Sequence, residues 1–89
     1  MNDLIYKIIL IGNDLTAYKS ELELRNHNVF EYTDGIKVLN AIDKETLETT
    51  DVIILSLNTT NVSGWELLRK IKATSSIKDI PLLLVSEFD

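Results

Sequence analysis

The chain predicts an α/β fold, a doubly wound parallel sheet, on three observations: short runs of β-branched and aliphatic residues, stretches of helical period between them, and the alternation of the two. Ile5 to Ile11 is nearly continuous apolar sequence, as a strand covered on both faces of a parallel sheet requires. Leu15, Tyr18 and Leu22 then give the first helix its expected buried stripe. Val29 to Thr33 alternates apolar and polar and reads as an edge strand. Ile36, Leu39 and Ile42 mark the second helix, followed by a polar connector from Asp43 to Thr50 with Leu47 as its anchor. Asp51 to Leu57 repeats the signature of a central strand, and so does Ile80 to Val85, where Pro81 suits a strand start. Between them, Ser63 stands three residues before Glu66 and predicts a capping box. Trp65, Leu68 and Ile71, with Leu67, form the expected buried stripe of this third helix.

Eighty-nine residues leave room for one domain, 1–89, whose single core must use nearly every apolar run. Without cysteine, neither a disulfide framework nor a thiolate metal site is available, and the expected compartment is the cytoplasm. The first apolar run is interrupted by Lys7 and is too short to span a membrane. Fourteen acids against nine bases give a net charge of −5, which disfavours direct binding to nucleic acid. Arg69, Lys70 and Lys72 read as a solvated helix face.

In a doubly wound sheet the chemistry collects beyond the carboxyl ends of the strands. That directs attention to Gly12, Asn13 and Asp14, to Ser56 through Thr60, and to Ser86 and Glu87. Gly12-Asn13-Asp14 lacks the further glycines of a phosphate-binding loop. Gly12 fits a tight strand-to-helix turn. Asp14 reads as the N-cap of the first helix, with residual metal ligation as the sharper alternative. Ser56 reads as a small polar residue bonded to loop backbone, and His27, the one histidine, as a solvated turn residue. Trp65 is expected to be partly buried.

Lys7-Ile8-Ile9-Leu10-Ile11, Asp51 to Leu57, Ser63-Gly64-Trp65-Glu66-Leu67-Leu68-Arg69-Lys70-Ile71 and Ile80 to Ser86 resemble, in order and spacing, the receiver domain of bacterial two-component response regulators, a flavodoxin-like, CheY-like fold. The resemblance implies two adjacent carboxylates after the first strand that hold magnesium, an aspartate on the third strand that accepts a phosphoryl group, and a hydroxyl after the fourth strand that follows it. Here those positions read Gly12, Asn13, Ser56 and Ser86, with Asp14 one place beyond the acidic pair. An amide, a hydroxyl and a missing side chain supply no negative charge for a hard cation. The family's proline in the following loop is replaced by Thr60, which is expected to loosen that loop.

The chain ends after the fourth of the family's five strands, so the expectation is either an excerpt of a longer chain or pairing of the apolar fourth-strand edge, with Phe88 beside it, with another chain. The expected function is that of a degenerate, pseudo-receiver signalling module. It would be no enzyme, would need no metal or other cofactor, and would act on a protein partner. The alternative is a regulatory domain of the anti-sigma-antagonist type, phosphorylated on Ser56 or Ser63. A flavodoxin-like enzyme is disfavoured by the lack of a placed nucleophile and base.

Overall fold

The computed structural model describes residues 4–85, so Ser86, Glu87 and Phe88 lie outside the described residues. Four strands and three helices alternate: β1 (Lys7–Ile11), α1 (Thr16–Leu24), β2 (Asn28–Tyr32), α2 (Gly35–Asp43), β3 (Val52–Ser56), α3 (Gly64–Ala73) and β4 (Leu82–Val85). All pairings are parallel, in the order β2-β1-β3-β4. The strand order turns back between β1 and β3, which sets the functional end of the sheet at their carboxyl termini.

β1 is central because both its faces are apolar. Ile9 and Ile11 point to one face and Ile8 and Leu10 to the other, and all four are buried. The larger core joins Ile9, Ile11, Ile53 and Leu55 of the sheet to Val38, Ala41 and Ile42 of α2 and to Leu67 and Ile71 of α3. Leu47 and Ile77, from connectors, close it. The opposite face is thinner: Leu15 is buried on Ile8 and Leu10, while Leu22, Val29, Val52, Ile54 and Val85 are only partly covered.

The sheet class and element order match expectation, but several faces do not. α1 itself contains no fully buried residue, and Tyr18 is exposed, since the buried anchor of this segment is Leu15 ahead of the helix. In α2 the inward stripe is Val38, Ala41 and Ile42, which turns Ile36 outward. In α3 it is Leu67 and Ile71, spaced four apart, and Trp65 is 55% exposed rather than partly buried. β4 is an edge within the described sheet, so Leu83 and Leu84 are exposed where a strand covered on both faces was expected.

The Ser63 cap forms, with its hydroxyl oxygen accepting from Glu66 N at 3.1 Å. The return arm differs from a full box, because the Ser63 hydroxyl donates to Glu66 Oε1 at 3.4 Å. His27 is more than a solvated turn residue: its Nδ1 accepts from Tyr6 N at 3.1 Å and its ring lies 5.4 Å from that of Tyr6.

Truncating Leu67 leaves a void between α3 and the sheet. Leu67→Ala is expected to lower the unfolding free energy by about 2–5 kcal/mol in urea titration. Leu24→Ala, at a solvent-facing position, is expected to change it by less than about 0.5 kcal/mol.

Candidate functional site

The carboxyl ends of β1 and β3 meet at Gly12 and Ser56. Gly12 continues the β1 ladder by donating to the Tyr32 carbonyl at 2.8 Å, then turns the chain at φ +149°. A Cβ at residue 12 would stand 2.5 Å from the Cβ of Ser56 and 3.3 Å from its hydroxyl oxygen. The backbone of β1 therefore fills the space that a side chain at either position would compete for. Both the left-handed φ and the close approach call for glycine.

Ser56 is 2% exposed, and its hydroxyl oxygen accepts from the Asn58 amide N–H at 3.0 Å. The Asn58 carbonyl in turn accepts from Asn13 N at 2.7 Å. The Asn13 side-chain amide is bonded to the Thr60 hydroxyl, with Nδ2 at 3.0 Å and Oδ1 at 3.2 Å from Oγ1. The loops after β1 and β3 are thus stitched together by neutral groups. Asp14 stays exposed and does not cap α1. The cap position is Leu15, and no side chain accepts from the first turn, because the helix starts two residues beyond Asp14.

Thr60 tightens its loop rather than loosening it. Its N–H donates to the Thr33 carbonyl at 3.1 Å, and its carbonyl accepts from Gly35 N at 2.8 Å and Val62 N at 2.9 Å. Asp34 and Thr60 form a one-residue parallel bridge beyond the sheet. Asp34 caps α2, its Oδ1 accepting from Ile36 N at 2.9 Å and from Asn61 Nδ2 at 3.1 Å. The bond from Asn61 is the main cause that holds the Asp34 carboxyl below its ordinary value, with the Ile36 N–H second. Sequence reasoning missed Asp34, although an aspartate directly before a helical apolar pattern is a cap signal. Asn61, at φ +71°, carried no local signal.

These residues do not fit a magnesium site. Gly12 brings no ligand, the Asn13 amide is bonded to Thr60, Ser56 is buried and neutral, and Asp14 is the one carboxylate of its loop. Among the described residues, no group of three or more His, Cys, Asp and Glu side chains is close enough to hold a metal ion.

Comparison with known proteins agrees with the fold. No protein-family model matches the chain. A probable transcriptional regulator, ycf29, of Pyropia yezoensis is 29% identical over 84 residues, which span 91% of this chain and 36% of that protein. The sensor protein EvgS of Escherichia coli O157:H7 is 36% identical over 72 residues, 76% of this chain and 6% of that protein. Among solved structures, the phosphorylated cyanobacterial phytochrome response regulator RcpA superposes with a TM-score of 0.76 at 24% identity, covering 93% of this chain and 66% of that one. The chain has the CheY-like receiver fold. It spans about a third of the first of these curated relatives and a small fraction of the second.

Gly12→Ala is expected to destabilise the fold by about 1–3 kcal/mol, from backbone strain and the Ser56 contact together. Adding Ser56→Gly should recover only the contact part, as read from urea midpoints of the single and double variants.

Asp34 gives a pH signature. Because its folded-state value lies below the ordinary 3.8, its contribution is present above that value and is lost as pH falls through the folded one. The stability difference between wild type and Asp34→Asn is therefore expected to be largest at neutral pH and to shrink in acid below the ordinary carboxylate range.

Proposed function

We propose that the chain is a receiver-type module of a two-component-like signalling pathway that works without phosphoryl transfer, by binding other proteins in the cytoplasm. The observation that carries this reading is the packing of Gly12 against Ser56. At the place where a receiver gathers two carboxylates and an acceptor aspartate, this chain sets bare backbone against a small buried hydroxyl. A phosphoryl acceptor there would need a carboxylate, a divalent cation and room for three further oxygens. The neutral bonds joining Asn13 to Asn58 and Thr60 offer none of these. The scaffold that displays the helices is meanwhile complete through β4 and well packed around β1.

The serine-kinase alternative gains little from the geometry. The Ser56 oxygen is enclosed and already accepts a backbone N–H, while the Ser63 oxygen is engaged in capping α3. No helix among the described residues is long and apolar enough to cross a membrane. The net charge of −5 favours protein over nucleic acid as the direct partner. Pairing through the outer edge of β4, where Leu83 and Leu84 are exposed, is part of the same proposal.

The test is amide NMR with magnesium and beryllofluoride, followed by intact mass after incubation with acetyl phosphate. The expected result is no saturable shift at Gly12, Asn13, Ser56 or Asn58 and no mass increase. Saturable shifts at these four amides would sink the proposal.

A further inference from the structure

We propose that the exposed shoulder formed by the first turn of α2 and the outward stripe of α3, Trp65, Arg69 and Lys72, is a docking surface for an acidic protein segment carrying an apolar anchor. This rests on the reading of the chain as a protein-binding module and names the surface and the chemistry of its partner.

Trp65 is the one tryptophan of the chain and is 55% exposed. The register of α3 explains why: burying Leu67 and Ile71 turns residue 65 away from the sheet. A large aromatic left in solvent on a rigid helix contributes nothing to the core, yet tryptophan and arginine are the side chains that most often anchor interfaces. Arg69 and Lys72 follow Trp65 at i+4 and i+7, so the three form one stripe. Ile36, 48% exposed, stands in the first turn of α2. That turn is fixed to the α3 entry loop through the Gly35 to Thr60 bond, the Asp34 to Asn61 bond and the contact of Gly35 with Val62. The apolar pair is therefore carried on two helix starts that these bonds tie together.

The charge of this region runs against that of the molecule. From residue 65 to 78 stand Arg69, Lys70, Lys72 and Lys78 against Glu66 alone, four bases and one acid for a net +3, in a chain of −5. No carboxylate of the described residues pairs with these cations. Among the described residues the one ion pair is Arg25 with Glu21, and the Lys72 ammonium donates to the Lys78 carbonyl at 3.2 Å. Unpaired cations beside an exposed aromatic are complementary to carboxylates flanking an apolar side chain, and that pattern gives both steering and an anchor. Duplex nucleic acid fits less well, since the excess of acids elsewhere repels a dense polyanion at long range.

The experiment uses labelled synthetic peptides of equal apolar content, each with one Leu-Phe anchor and with net negative, zero or positive charge. Binding to the whole chain is read by fluorescence anisotropy, alongside a DNA duplex and phosphatidylserine vesicles. The acidic peptide is expected to bind saturably and tightest of all the probes. Its affinity should fall about tenfold or more in Trp65→Ala and in the double change Arg69→Glu with Lys72→Glu. Lys44→Glu, at the far end of α2, should leave it within about twofold. Circular dichroism confirms that each variant is folded. Charge-blind binding, tighter binding to duplex or vesicle, no peptide binding, or indifference to both shoulder variants would each overturn the proposal. Peptide binding that ignores the shoulder variants leaves the protein-binding reading standing and removes this surface, whereas beryllofluoride shifts would remove the phosphorylation-independent reading alone.

Discussion

The contact of Gly12, just beyond β1, with Ser56 at the end of β3 is the constraint on which the functional end of this molecule depends. A side chain at residue 12 would collide with Ser56, so only a residue without a Cβ fits there. Beyond that contact the loops are bonded together. Asn13 then reaches the Asn58 carbonyl and the Thr60 hydroxyl, and Thr60 reaches Thr33 and Gly35. Each of these bonds is between neutral groups, so none needs a counter-ion. An acidic cluster at the same place would repel itself unless a cation held it. The bonds between these loops are thus self-sufficient, each closing without a cation.

Self-sufficiency changes what the carboxyl end can do. A receiver that switches needs loops with two arrangements of similar free energy, chosen by the phosphoryl group. Here the loop after β3 is joined to the loops after β1 and β2 by backbone and side-chain bonds, and Asp34 adds a charge-assisted link through Asn61. Those links favour one arrangement.

The architecture was legible in the sequence because it depends on period. Runs that are apolar at every position, such as Ile8 to Ile11, have one stable place, the middle of a parallel sheet, and the helical stretches between them must then cross over its faces. That Gly12, Asn13 and Ser56 are uncharged was legible as well, since charge missing from a position is visible without coordinates. What was not legible depends on rotation and on partners distant in sequence. Trp65 and Leu67 are both apolar, and only the angle at which α3 settles on Ile53 and Leu55 decides which faces inward. Asp14 and Leu15 competed to start α1, and burial of Leu15 under the sheet decided the start against capping propensity. Thr60 looked like a relaxed substitute for proline because its partners Thr33 and Gly35 lie 25 or more residues away.

The two faces of the sheet carry different loads, and that asymmetry bears on where the proposed docking surface lies. The face under α2 and α3 holds the large core, so these helices are fixed in rotation and their outward residues stand at defined positions. The face under α1 holds only Ile8, Leu10 and Leu15 at full burial, and α1 adds no buried residue of its own. A surface that must present an aromatic side chain and two cations in register gains from the stiffer support, because ordering long side chains on a loose helix costs conformational entropy that must come out of the binding free energy. The shared loop from Asn61 to Ser63 extends that stiffness across the gap between α2 and α3. The bonds that join the loops after β1, β2 and β3 thus also tie the start of α2 to the entry loop of α3.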